Sequence, residues 1–232
     1  MPKRKRVTHK KKRFTENKKH APISMDIVNT RDADIMPVYR PQLKFLPNSQ
    51  KVTLRYGQRF ALSAGTGLAA TQIFSANSLY DPDESGVGHK PRGFDQLMAM
   101  YDHYQVIGAK ITIMTAQPST SGLVGISLQD NNVPSSDVED RLERRADNSV
   151  VGVIAASGDP LALSLGYSQK HFFGLSGIDD KYQGSVTGEP ADQAFFHVWI
   201  AALGTASTMT AALTVVVDYI AVLTEPKQPN KS

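Results

Sequence analysis

The residues with the clearest chemistry are basic and lie at the start of the chain. Residues 1–20 contain ten Lys and Arg and a single acid, Glu16, which gives a net charge of +9. Cations at this density displace condensed counterions from phosphate groups without reading any base. The sequence therefore predicts non-specific nucleic-acid binding by Lys3, Arg4, Lys5, Arg6, Lys10, Lys11, Lys12, Arg13, Lys18 and Lys19.

Two other interpretations of this basic segment are a solubilising tail and a patch that binds a membrane surface. A membrane-binding patch usually accompanies a lipid anchor or an amphipathic helix, and the sequence shows neither. The run of Lys3, Arg4, Lys5 and Arg6 is also similar to a nuclear localisation signal. We therefore expect the segment to bind nucleic acid and, through this run, a nuclear import receptor.

The sequence offers no pattern typical of catalysis or of a metal centre. Its six His residues lack metal-ligand spacing, and Gly174-Leu-Ser-Gly177 lacks the last glycine of a nucleophile elbow. Asp81, Asp83 and Glu84 could hold a hard cation such as calcium, but solvated loop carboxylates are favoured by about four to one. We expect no enzymatic activity and no cofactor.

The remainder of the chain has the opposite charge. Residues 21–232 carry 16 bases and 21 acids, a net charge of −5, so a polycationic segment is joined to an acidic body. The absence of cysteine excludes disulfides and thiolate metal sites. No secretory signal and no apolar run of about 18 residues is present, so we expect no membrane insertion.

The composition divides the chain into four parts. Residues 1–20 contain too few large apolar side chains to offset the entropy cost of ordering, which predicts a disordered arm. Residues 21–49 are proline-rich and predict an extended connector. Residues 50–224 are predicted to form the folded domain, and residues 225–232 a polar tail.

Alternating apolar and polar residues predict a series of strands in the folded domain. In residues 104–115, for example, Ile107, Ala109, Ile111 and Ile113 are expected to share one buried face. The predicted strands are 52–56, 71–79, 104–115, 123–128, 150–155, 161–167, 194–203 and 213–223.

Two short helices are expected between these strands. The first is predicted from Phe94, Leu97, Met98 and Tyr101, which have helical spacing. The second, at 136–146, is predicted from a capping box of Ser136 with Glu139 and from i,i+4 pairs that join Asp137 to Arg141 and Asp140 to Arg144. Together these elements predict an all-β fold of two packed antiparallel sheets, an eight-stranded single jelly roll with two inserted helices.

The segment 77–97 is the most distinctive part of the folded domain. It contains the runs 77–81, 86–89 and 93–97, and a strand is entered at 101–104. These motifs, with the basic arm in the expected place, resemble the coat proteins of small circular Rep-encoding single-stranded DNA viruses and their RNA-virus-like relatives. The resemblance covers 50–224 as a strand order and 77–116 as a motif.

The resemblance implies a capsid protein with a jelly-roll shell domain and with its arm inside the shell. Roughly 60 copies would form a minimal icosahedral particle around a single-stranded DNA genome. It also implies that Gly86, Gly88 and Gly93 are needed for turn geometry, and that the protein occurs in the virion and, during assembly, in the host nucleus. The alternatives are a coat protein of a small RNA or satellite virus and a cellular nucleic-acid-binding protein with a basic tail.

Overall fold

The structure, a computed structural model, describes residues 46–116 and 118–228. The predicted arm, most of the predicted connector and the last residues of the predicted tail lie outside this part. The strands are β1 (Ser49–Ala64), β2 (Ala70–Ser75), β3 (Tyr101–Thr115), β4 (Gly122–Gln129), β5 (Ser149–Ile154), β6 (Leu161–Ser168), β7 (Gln183–Ser185), β8 (Phe195–Ala202) and β9 (Met209–Pro226). The helices are α1 (Phe94–Met98), α2 (Val138–Leu142) and α3 (Gln169–Phe172), with a 3₁₀ turn at Asp180–Tyr182.

The strands form two antiparallel sheets. The five-stranded sheet has the order β1-β9-β3-β6, with β7 also paired to β3, and the four-stranded sheet has the order β2-β8-β4-β5. The first four strands alternate between the sheets, and β1 pairs with β9 along its whole length. Apart from the three-residue β7, this is the connectivity of a double-sheet jelly roll, and the predicted fold class is confirmed.

The main core lies between the two sheets. On β9, the alternate residues Leu213, Val215, Val217, Tyr219, Ala221 and Leu223 are all buried, as the alternation predicts. They pack with side chains such as Ile111 of β3 and Val198 of β8. Each fully buried aliphatic side chain of this kind stabilises the fold by about 1.5–3 kcal/mol.

A β-bulge changes which residues of β3 face the core. Ala109, Ile111 and Ile113 are buried as predicted, but Ile107 is only partly buried and Val106 is buried instead. The register with β9 shifts between Val106 and Gly108. An extra residue at a bulge reverses the facing of the chain before it, so the prediction for Ile107 was wrong.

The helices are shorter than predicted. Helix α1 ends at Met98, and Tyr101 already belongs to β3. At α2 the N-cap is Asp137, whose carboxylate accepts a hydrogen bond from the Glu139 amide, so the predicted Ser136 capping box was wrong. The predicted ion pair of Asp140 with Arg144 is present, at 2.8 Å. Helix α3 and the 3₁₀ turn were not predicted, since each is too short for a periodic signal.

The two sheets differ in what covers their outer faces. Strand β8 is buried on both faces over 195–201, and β4 is buried on both faces over 124–129. Residues 130–148, which include α2, lie against β2 and β8 of the four-stranded sheet, and Val138 packs against a second small core of Ala69, Trp199 and Ala201. The five-stranded sheet alternates instead between buried and exposed residues on β1 and β9, so much of its outer face is open.

Candidate functional site

The ten predicted nucleic-acid-binding residues and the four-residue nuclear localisation run lie outside the described residues. The structure describes the domain that follows them, whose residues 46–116 and 118–228 contain 12 bases and 18 acids, a net charge of −6.

The segment that carries the family resemblance begins with a structural asparagine. The Asn77 side chain is buried, donates to the Asp192 carbonyl at 2.9 Å and accepts from the Ala194 amide at 2.9 Å. These two bonds satisfy backbone groups that would otherwise be unpaired where the chain enters β8. Asn77 thus joins the end of β2 to the start of β8.

Tyr104 holds the next residues of this segment. Its ring is buried, and its hydroxyl accepts from the Leu79 amide at 3.1 Å and from the Tyr80 amide at 3.2 Å. Ser78 Oγ lies 3.3 Å from the same hydroxyl. Burial raises the pKa of Tyr104, so the phenol stays neutral. The motif residues 77–81 and 101–104 therefore form a common polar anchor inside the fold.

Glycines in this segment have the geometry that the turn requires, although for two different reasons. Gly86 and Gly93 have φ values of 73° and 88°, in the left-handed region that glycine tolerates. Gly88 is needed for space, because a Cβ there would lie 2.7 Å from the Cβ of Asp83. The turn prediction is thus confirmed for Gly86 and Gly93, and Gly88 is a close-packing position.

A cleft of about 830 Å³ opens beside this turn. Lys90 lies at its wall, with Nζ 5.1 Å from the ring centre of Tyr80 and 5.3 Å from that of Phe94. The same Nζ donates to Asp95 at 3.0 Å and to the Val186 carbonyl at 3.3 Å. With its charge paired and stacked in this way, Lys90 ties α1 to the loop after β7.

The three acids singled out as a possible calcium site are not arranged as one. Asp83 is buried and accepts from the Gln72 side chain and, at 3.1 Å, from the Ser85 amide. Within residues 46–116 and 118–228 no group of three or more His, Asp or Glu side chains could hold a metal ion. Asp83 therefore serves to fix the turn against β2.

Glu84 differs electrostatically from an ordinary surface carboxylate. Burial, followed by repulsion from Glu189, raises its pKa to about 7, while a hydrogen bond with Asn132 partly offsets these effects. Asp81 and Asp83 add to the repulsion. Glu84 is consequently a group whose charge changes near neutral pH.

A buried arginine fixes the segment that covers the four-stranded sheet. Arg141 Nη2 donates to the Ser135 carbonyl at 2.9 Å and to Thr71 Oγ1 at 3.0 Å. Burial lowers its pKa to about 10, which leaves it charged at neutral pH. These bonds replace the predicted pairing with Asp137, and they attach α2 to β2.

His197, on the outer side of the same sheet, is a structural residue as well. Its side chain is fully buried, and Nε2 donates to the Asn131 carbonyl at 2.8 Å. Burial lowers its pKa to about 4, so the ring is neutral at physiological pH. This hydrogen bond holds the start of residues 130–148, the covering segment, on the four-stranded sheet.

Ser176, considered above in relation to a nucleophile elbow, lies in the loop between α3 and the 3₁₀ turn. Gly174 and Gly177 on either side of it have positive φ values of 74° and 122°. The segment is irregular backbone that bends at Gly177, without the strand and helix that flank a nucleophile elbow. None of the helices among the described residues is long and apolar enough to cross a membrane.

A set of basic residues on the five-stranded sheet was not predicted from the sequence. We use the name open face for the outward-pointing residues of β1 within 51–63, β3 within 108–114, β6 within 162–168 and β9 within 210–222. Its charged residues are Lys51, Arg55, Arg59, Lys110 and Asp218. Lys51, Arg55 and Arg59 are spaced by four, which places them on one face only where all three lie on one strand, and the predicted strand 52–56 contained only Arg55.

No protein-family model and no curated protein matches the sequence. Similar chains occur in solved structures of viruses. A chain of Mud crab tombus-like virus is 9% identical with a TM-score of 0.46, over 83% of this chain and 96% of that chain. A chain of Cocksfoot mottle virus is 12% identical with a TM-score of 0.45, over 76% and 94%. A chain of Turnip Yellow Mosaic Virus is 14% identical with a TM-score of 0.44, over 80% and 99%.

Proposed function

We propose that this chain is the coat protein of a small single-stranded DNA virus, which assembles into a shell and packages the genome through residues 1–20. The observation that carries the proposal is the separation of charge. Ten cations in the first 20 residues are joined to a jelly-roll domain whose described residues have a net charge of −6. The double-sheet jelly roll also occurs in lectins and cupins, so the fold alone does not select this function. The arm favours a polyanionic partner.

The charge separation gives a physical reason to couple assembly to genome binding. Arms brought together inside a closed shell repel one another until a polyanion neutralises them. With about 60 copies and ten cations each, on the order of 600 phosphates could be neutralised by counterion release. Binding of this kind depends on phosphate density and favours packaging over sequence recognition.

The run Lys3, Arg4, Lys5 and Arg6 gives the same segment a second role before assembly. A free subunit would present this run to a nuclear import receptor. After assembly the same cations would contact the genome. The subunit would therefore reach the nucleus, where a DNA genome is replicated, only while it is unassembled.

The first test is electron microscopy of the purified full-length protein, combined with nuclease digestion of the nucleic acid that co-purifies. We expect closed, uniform particles. After the particles are opened, their nucleic acid should resist ribonuclease and be degraded by deoxyribonuclease. Ribonuclease-sensitive contents of particles recovered from an infected host would instead identify a coat protein of an RNA or satellite virus. Monomers that persist with added single-stranded DNA across several salt concentrations would indicate a cellular nucleic-acid-binding protein.

A second test concerns the arm alone. Deletion of residues 2–19 is expected to abolish nuclear import and nearly all binding to single-stranded DNA, while circular dichroism continues to show the β domain. A full-length variant with the ten arm Lys and Arg replaced by Gln is the matched control for chain length. Retention of full affinity in a filter-binding assay by both variants would exclude the arm as the main binding segment.

A further inference from the structure

The open face is a basic surface formed by four adjacent strands. Register pairs place Gly166, Lys110, Asp218 and Arg55 in one row across β6, β3, β9 and β1. Along β1, Lys51, Arg55 and Arg59 are spaced by four residues, which corresponds to about 13 Å per step. Lys110 lies two strands from Arg55, about 10 Å across the sheet. The four cations therefore cover an area of one sheet rather than a single point.

The charge of the open face is opposite to that of the rest of the domain. It carries four bases and one acid, a net charge of +3. The other described residues carry eight bases and 17 acids, a net charge of −9. A basic surface on an otherwise acidic domain attracts polyanions to that surface.

Three of the four cations are available for a partner. Arg55 pairs with Asp218, the one acid of the open face. The ion pairs found within residues 46–116 and 118–228 do not involve Lys51, Arg59 or Lys110, and all three are exposed. Most of the remaining positions are Gly, Ala, Ser or Thr, so a linear polymer can approach the backbone of the sheet closely.

The composition of the open face also indicates which part of a nucleic acid it would contact. None of its outward-pointing positions is aromatic. Binding of single strands through bases depends on aromatic rings on which bases stack, whereas Lys and Arg contact phosphates. We propose that the open face, centred on Lys51, Arg59 and Lys110, is a second binding surface for the phosphate backbone of single-stranded nucleic acid, beside the arm.

This inference rests on the proposed packaging function and adds a defined surface to it. The four-stranded sheet offers no matching surface, because residues 130–148 pack on the outer face of β4 and β8. The exposed residues Val151 and Val153 of its edge strand β5 are apolar. Two open faces would repel each other, so self-association through this surface is disfavoured. A repeating polyanion matches cations that recur along a strand better than the scattered carboxylates of another subunit.

The test measures how affinity for a thymidine oligonucleotide depends on salt, using the full-length protein between about 50 and 200 mM salt. The variant combines Lys51→Gln, Arg59→Gln and Lys110→Gln. The matched control removes three exposed cations elsewhere, with Arg92→Gln, Lys170→Gln and Lys181→Gln. Each lost phosphate contact lowers the slope of log affinity against log salt by about 0.7 for single strands. The slope of log affinity against log salt should fall by about 2 in the open-face variant and by much less in the control variant.

Three results would overturn the inference. The first is an unchanged slope in the open-face variant, and the second is an equal change in the control variant. The third is a defect of particle assembly without nucleic acid at an unchanged slope, which would assign the open face to contacts between chains. Loss of binding on replacing the ten arm cations, with no effect of the open-face variant, would leave the proposed function intact. Absence of binding by the unmodified protein would contradict the proposed function itself.

Discussion

Arg55 and Asp218 form a two-point ion pair between the first and last strands of the five-stranded sheet. Nε lies 2.6 Å from Oδ1, and Nη2 lies 3.1 Å from Oδ2. These hydrogen bonds, with the attraction between the charges, raise the pKa of Arg55. In register Asp218 also lies opposite Lys110 of β3. The single carboxylate of the open face thus lies between Arg55 and Lys110 in register, and it reduces the positive potential available to a polyanion.

Replacing this carboxylate is expected to strengthen nucleic-acid binding. Asp218→Asn frees Arg55 and raises the net charge of the open face by one. The slope of log affinity against log salt for single-stranded DNA should increase by about 0.7, the value for one further phosphate contact. Glu143→Gln, which removes an exposed charge near α2, is the control. An equal increase in the control would show that the total charge of the protein, rather than the open face, determines binding.

Tyr104, whose hydroxyl anchors the segment 77–81, is expected to contribute more to stability than Tyr101 on the same strand, β3. Tyr104→Phe leaves the buried Leu79 amide without its acceptor, which should lower the free energy of unfolding by about 2 kcal/mol. Tyr101→Phe is the matched control, because that hydroxyl donates to the Pro47 carbonyl nearer the surface. It should lower the same free energy by about 0.5–1 kcal/mol. Chemical denaturation of both variants measures the difference, and equal losses would contradict a special role for Tyr104.

Much of the fold follows from local sequence patterns. The alternation on β9 predicts its buried face correctly, and the strands at 123–128, 150–155 and 161–167 lie within one or two residues of the observed β4, β5 and β6. Strand β1 was predicted only over 52–56, because Gly57, Gln58 and Arg59 interrupt the apolar pattern. Pairing with β9 along its whole length extends it to Ala64. Such an extension depends on a partner more than 140 residues away in the sequence, and local propensity does not contain it.

The candidate surfaces were harder to predict than the fold. Lys51, Arg55 and Arg59 share a face only if all three lie on one strand, so the short predicted strand concealed the row. Lys110 and Asp218 join it through registers that no local signal specifies. Arg141 was expected to pair with Asp137 on the surface, whereas the three-dimensional packing of α2 on the four-stranded sheet buries it. In each case the missing information was tertiary.

Arg141 is expected to be the most important residue of the covering segment for stability. Arg141→Ala removes its bonds to the Ser135 carbonyl and Thr71 and leaves a cavity, and it should lower the free energy of unfolding by about 2–4 kcal/mol. Arg144→Ala, which removes a partly exposed ion pair on the same helix end, should lower it by only about 0.5 kcal/mol. Thermal and chemical denaturation of both variants test this. A small effect of Arg141→Ala would mean that the segment is held chiefly by other contacts.

Glu84 is expected to make stability fall as the pH rises towards neutrality. The pKa of Glu84 is about 7 in the folded protein and 4.5 in the unfolded chain. Between pH 4.5 and pH 7 the folded state therefore binds more protons than the unfolded state. The stability of the fold with Glu84 protonated is fully present below about pH 4.5, and this contribution to the free energy of unfolding is lost as the pH rises through 7. Glu84→Gln removes the half-buried charge and should raise the free energy of unfolding at pH 8 by about 1 kcal/mol, after allowance for solvent screening.

The same substitution should have little effect at pH 4, where Glu84 is largely protonated in both states. His197 has the opposite dependence, because its lowered pKa of about 4 reduces stability as the pH falls below 6.5. Its contribution is common to both proteins and cancels in their difference. Denaturation of the two proteins at pH 4 and pH 8 therefore isolates Glu84, with Glu143→Gln as the control for an exposed carboxylate. A difference of the same size at both pH values would show that the substitution acts through packing and not through charge.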